Sequence, residues 1–116
     1  MRLMMIRAEL TVRRLLFQVY LNRRKARLAG ADLSFLNLSR LNLRGVNLSA
    51  TNLTRADLSR ANLRRAILEG ANLTGAILHG ADLTDARLAR ADVTLAQLAD
   101  AKSLKGAIMP DGTRHD

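Results

Sequence analysis

From Ala26 to Asp100 a large apolar residue recurs at every fifth position, Leu in all cases but Val93. Two residues ahead of each stands a smaller one. It is usually Ala, and Leu36, Leu41, Val46 and Thr51 are the departures. Between the two sits Asn or Asp in most units: Asp32, Asn37, Asn42, Asn47, Asn52, Asp57, Asn62, Asn72, Asp82 and Asp92. The period fits no regular element. Five residues of α-helix turn ~500°, so successive leucines drift by ~140° and share no face. A flat strand alternates with period two, which sends every second leucine to the wrong side. A coiled coil needs sevens. Residues two apart in extended chain do share a face. Ala and Leu of one unit therefore point the same way, and the next two residues must turn a corner. Repetition of that step predicts an all-β solenoid with Ala and Leu inside, its backbone pairing with the coils above and below at about 4.8 Å.

Ahead of the repeat the periodicity changes. Val12, Leu15, Leu16, Val19 and Tyr20 fall on one helical face, and residues 8–25 contain neither Gly nor Pro. Glu9 near the start and Arg23, Arg24 and Lys25 near the end suit the helix dipole. The pattern predicts an N-terminal α-helix that caps the open end of the solenoid. A basic amphipathic helix lying on an anionic membrane is the other reading. The organisation expected is thus a basic segment and capping helix over 1–25, a β-helix over 26–105 and a tail over 106–116.

Units such as Ala56-Asp57-Leu58-Ser59-Arg60 and Ala71-Asn72-Leu73-Thr74-Gly75 resemble the A-[DN]-L-x-x consensus of the pentapeptide repeat family. The resemblance runs through fifteen consecutive units. In a sixteenth, Ala101 to Lys105, the register slips so that Leu104 is the apolar residue. The segment Gly106 to Thr113 also resembles C-termini of the family. The resemblance implies a right-handed quadrilateral β-helix of about four coils, with four units and about 20 residues per coil. Residues 20 apart then become vertical neighbours. Leu36, Leu41 and Val46 suggest a wider lumen in the first coils or contact with the helix. An inward Thr51 must give its hydroxyl to backbone.

Composition removes several function classes. Without cysteine there are no disulfides, thiolate metal sites or thiol nucleophiles. His79 and His115 are the only histidines, and no nucleophile–base pair or carboxylate dyad stands out, so the chain reads as non-enzymatic with no cofactor. The Asn and Asp series reads as corner stabilisation rather than metal ligation, because Asn replaces Asp freely and no Asp-x-Asp loop is present. No run approaches a membrane span. Arg13-Arg14 lacks the hydrophobic region of a twin-arginine signal, and a cytoplasmic location is expected.

The net charge is +9, most of it ahead of Ala31, where eight basic residues face one acidic. Within the repeat, stacking gathers Arg40, Arg44, Arg60, Arg64 and Arg65 into a candidate anion-binding patch. No aromatic lies beside them to stack bases. Leu95, Ile108 and Met109 are candidates for a self-association surface at the C-terminal end, where an uncovered β edge invites pairing into a homodimer. The sequence supports a structural or protein-interaction module whose protein partner is unidentified. The alternative is a basic surface with weak, non-specific binding to polyanions, nucleic acid or acidic lipid. The resemblance also implies a topoisomerase-directed DNA mimic, a role that calls for an acidic surface and conflicts with the net positive repeats.

Overall fold

The computed structural model describes residues 28–116. The predicted capping helix and basic segment lie outside the described residues. From Leu28 onward the chain winds as a square coil. Straight steps of three residues, such as Ala56-Asp57-Leu58, alternate with two-residue corners, such as Ser59-Arg60. The residue before each Leu pairs in parallel with its counterpart one coil on: Asp32 with Asn52 and Asn52 with Asn72, Asn37 with Asp57 and Asp57 with Ile77, Asn42 with Asn62 and Asn62 with Asp82, Asn47 with Ile67 and Ile67 with Arg87. The repeat therefore closes after 20 residues, and four ladders run up the four sides. Each ladder is only one residue wide, because two residues of every five are spent on corners. The sides are thus columns of isolated bridges rather than long strands.

We number the faces by their inward leucines. Leu28, Leu48, Leu68 and Leu88 belong to the first. Leu33, Leu53, Leu73 and Val93 belong to the second. Leu38, Leu58 and Leu78 belong to the third, and Leu43, Leu63 and Leu83 to the fourth. These leucines are buried, with Ala56, Ala61, Ala66, Ala71, Ala81 and Ala86 filling the space between them. Leu36 and Leu41 are only partly buried, at the N-terminal end of the described coils, whereas Val46 is fully enclosed. Thr51 also points inward, and its hydroxyl donates to Leu48 O at 2.7 Å. No buried side-chain polar atom among the described residues lacks a partner.

Corners are built alike. The backbone N–H after most corners donates back to the carbonyl of the central Leu, as from Ala56 to Leu53 at 3.0 Å and Ala66 to Leu63 at 3.0 Å. The Asn or Asp before the Leu accepts from the N–H two residues on, as from Ser39 to Asn37 Oδ1 at 3.1 Å and Ser59 to Asp57 Oδ1 at 3.0 Å. This is the local bonding that favours short amides and carboxylates at turns. The second corner residue takes a positive φ from Gly30 through Arg90. Gly30, Gly45 and Gly70 adopt it freely, but so do Phe35, Arg40, Ala50, Arg55, Arg60, Arg65, Asp85 and Arg90. The corner is thus imposed by the coil rather than by glycine.

The C-terminal end departs from expectation. The unit Ala96 to Asp100 is not a fifteenth corner-and-side step but part of a short α-helix, Leu95–Ala99. The reason is Gln97, whose side chain is too long for the Asn-type corner bond. It completes a capping box with Thr94 instead, and its Nε2 donates to Leu73 O at 2.7 Å and Ala76 O at 2.9 Å in the coil below. Leu98 stays buried in the column of third-face leucines. The register then slips by one. Lys102 and Ser103 both stand against Asp82, with Lys102 N donating to Ala81 O and Leu83 N donating to Ser103 O. From there bridges join residues 21 apart, Asp82 to Ser103 and Arg87 to Ile108. Ala107-Ile108-Met109 is a further side of the coil. The chain then folds back, and Ile108 pairs antiparallel with Arg114. Covering of the last edge by this hairpin corrects the expectation of a bare C-terminal end. Over the first face the edge is closed.

Candidate functional site

The structure brings the predicted arginines to the two corners that flank the fourth face. Arg40 and Arg60 are corner residues entering it: Arg40 N donates to Ser59 O, and Arg60 N to His79 O. Arg44 and Arg64 leave it, joined by Arg65, with Gly45 N donating to Arg64 O and Arg65 N to Thr84 O. Arg40, Arg44, Arg60 and Arg65 are exposed, and Arg64 is partly buried. Between the two corners, Asn42 and Asn62 are paired neighbours on the flat side.

The arginine stems lean toward the next coil. A β-carbon added at Gly80 would lie 3.1 Å from Arg60 Cγ, and one at Gly75 3.0 Å from Arg55 Cγ. Glycine one coil on thus makes room for the arginine beneath it. Arg64 reaches the furthest, bonding Asp82 Oδ2 at 3.3 Å through Nη1. Partial burial works to raise the Asp82 pKa. The hydroxyl and N–H of Thr84, with the Arg64 guanidinium, outweigh it and hold that carboxyl below the usual range. Asp82 therefore ends the basic patch on its C-terminal side. Arg55, on another corner, lies over the Phe35 ring at 5.8 Å from the centroid. That pair belongs to a separate column. A spacing of 20 places Phe35 and Arg55 in one column, but does not show this contact.

The self-association candidates are brought together only in part. Leu95 is 77% exposed. It lines a shallow hollow with Val93, Met109, Pro110 and Thr113 on top of the second face. Ile108 does not line it. It is held between Arg87 and Arg114 in the first-face ladder. A second hollow, around Arg64, Asp85, Lys105, Gly106 and Arg114, lies where the fourth face meets the hairpin. Sequence reading missed it, because the one-residue slip and the reversal at Asp111-Gly112 were needed to place Arg114 there. No group of His, Asp and Glu among the described residues could hold a metal ion, and no helix among them is long and apolar enough to cross a membrane.

A square coil of four five-residue sides with a filled Leu and Ala interior defines a quadrilateral β-helical solenoid protein. The chain belongs to the pentapeptide repeat family: the Pentapeptide repeats family matches in eight copies, over residues 26–65, 42–80, 66–102 and 76–109. Among solved structures it is similar to HetL, a pentapeptide repeat protein involved in heterocyst differentiation regulation from the cyanobacterium Nostoc sp. The two are 45% identical with a TM-score of 0.71 over 75% of this chain and 40% of HetL. The chain therefore spans well under half of HetL's length. A pentapeptide repeat protein of the Arabidopsis thaliana thylakoid lumen matches at 29% identity over 77% of this chain and 68% of that one, with a TM-score of 0.47. One from the cyanobacterium Cyanothece matches at 25% identity over 90% and 99%, with a TM-score of 0.40. Among curated proteins no match is found.

Proposed function

We propose that this chain is a non-enzymatic scaffold whose outward side chains form a fixed surface for a protein partner. The carrying observation is the division of labour between the two sides of the coil wall. Inward positions are almost uniform Leu and Ala, buried and paired. Variation falls on outward positions such as Phe35, Arg55, Ile77 and the fourth-face arginines. A rigid backbone that fixes these groups about 4.8 Å apart presents a surface with little conformational entropy to lose on binding. The test is affinity capture from the native cell with wild type and with a variant altered only at outward corner residues. A partner retained by wild type and lost by that variant supports the scaffold. Identical capture by both sinks it.

A second copy of the chain is the other partner we propose, joined at the C-terminal end. Leu95 is exposed beside Val93 and Met109, above the second face, which the hairpin does not close. Sedimentation at micromolar concentration should show a dimer, and Leu95→Glu should return it to monomer. A wild-type monomer under those conditions rules the dimer out.

A further inference from the structure

We infer that the fourth face over the first two described coils is a docking site for a short extended peptide rich in carboxylates. The proposal rests on the scaffold reading and names the face and the partner's chemistry. Its basis is not charge alone but the direction of the outward amide and guanidinium groups on that face. Asn42 Oδ1 accepts from Arg44 N at 3.2 Å, and Asn62 Oδ1 accepts from Arg64 N at 3.1 Å. The corner bond thus turns the oxygen of each amide toward the corner. It leaves Nδ2, which no acceptor among the described residues takes. The flanking guanidinium groups of Arg40, Arg44, Arg60, Arg64 and Arg65 are donors only. Apart from the hydroxyls of Ser39 and Ser59 at the entering corner, which donate to Asn37 and Asp57 Oδ1, the described polar side chains of this side offer N–H groups outward, with no carboxylate until Asp82, which Arg64 bonds.

Other sides lack this property. The second face uses the same Asn bond at Asn52 and Asn72, but carries Asp32 below and Asp92 above. The third carries Asp57 and Ile77, and the first carries Ile67 and the Glu69–Arg87 ion pair at 2.8 Å.

The dimensions select the partner. The flat side is three extended residues across, about 10 Å, and the rungs stack about 4.8 Å apart. Alternate side chains of an extended peptide lie roughly 6.7 Å apart on one side. Two or three carboxylates then fall within reach of both arginine columns, where bidentate guanidinium–carboxylate pairs form. A duplex nucleic acid calls for a longer run of phosphate contacts than two coils supply, and Asp82 stops the patch at the third. No aromatic among the described residues stands on this face to stack single-stranded bases.

Asn62→Asp and Asn72→Asp make a matched pair for the test. Each lies above an Asn and below an Asp in its own column, and each Asp keeps the corner acceptor. Both change the net charge by the same amount, on opposite faces. The probe is a fluorescein-labelled octapeptide of alternating glutamate and alanine, followed by fluorescence anisotropy at low ionic strength, with thermal melts confirming that each variant folds. Asn62→Asp should weaken binding about fivefold or more, and Asn72→Asp less than about twofold. The pair Arg40→Gln/Arg60→Gln should weaken it about tenfold. No binding to wild type, or equal weakening by the matched pair, overturns the site. Tighter binding of a short duplex DNA that is likewise weakened by Asn62→Asp also overturns it, in favour of nucleic acid. A captured cellular partner that ignores Asn62→Asp would leave the scaffold standing and remove this face from it.

Discussion

Ala50 sits at an exposed corner with φ of 55°. A left-handed backbone costs a residue with a β-carbon about 1–2 kcal/mol, and glycine nothing. Ala50→Gly should raise stability by roughly 0.5 kcal/mol once the added freedom of the unfolded chain is subtracted. Gly70→Val, at φ of 66°, should lower it by about 2 kcal/mol. Urea unfolding of the two variants checks both signs. The inward positions are less forgiving. Leu58 is fully buried between Leu38 and Leu78. Leu58→Arg places an unpaired charge in that column, at a cost of several kcal/mol, and should abolish cooperative unfolding. Unchanged β-type circular dichroism with an unchanged melt is the contrary result. The Leu and Ala positions were legible from the first reading of the sequence, because burial of the same small-and-large pair is the only use for a strict period of five. The positive φ at arginines was not legible. Nothing in an Arg side chain signals a left-handed backbone, and only closure of the square demands it.

At the scale of elements, the helix Leu95–Ala99 replaces a side of the coil with one polar side chain. Gln97 caps its own helix and donates to two carbonyls of the coil beneath. Gln97→Ala removes both bonds and should cost about 2 kcal/mol, with faster hydrogen exchange at Leu98 and Asp100 and little change at Leu53 or Leu63. Uniform exchange across the coils would show that the helix is not a separate element. The family consensus does not mark this unit as different. Ala96-Gln97-Leu98 keeps Ala and Leu in place, and only the length of Gln97 betrays the change. The slip at Ser103 was visible in sequence as Leu104 out of register. Its cause, a two-residue bulge against Asp82, needed the neighbouring coil.

For the molecule as a whole, acid is a direct probe of the corner network. Ser34 holds the Asp32 carboxyl below its usual range through its hydroxyl and N–H. Ser59 does the same for Asp57, and Thr113 for Asp111. Asp82 is lowered as well, against its partial burial. A carboxylate with a depressed folded pKa contributes stability that is present above its unfolded value of about 3.9 and is lost as pH falls through the folded value. The urea midpoint should therefore hold steady near neutrality and decline once the pH drops below about 4. Asp57→Asn, which keeps the acceptor without the titration, should flatten that decline. A midpoint equally acid-sensitive in the variant would show that the corner carboxylates are not responsible.

The sequence by itself determined the solenoid, its inward columns and the gathering of five arginines, because a period of five with residues 20 apart in contact turns a linear string into a surface map. It did not determine how polar atoms point on that surface. The tertiary structure decided that the amide oxygens of Asn42 and Asn62 turn to the corners, leaving their Nδ2 donors outside. It decided that Arg64 leans to Asp82, and that the last coil ends in a helix and a hairpin over its edge. Side-chain spacing is set by the repeat. Hydrogen-bond direction depends on which backbone group lies within reach, and that is fixed only when the coils are stacked.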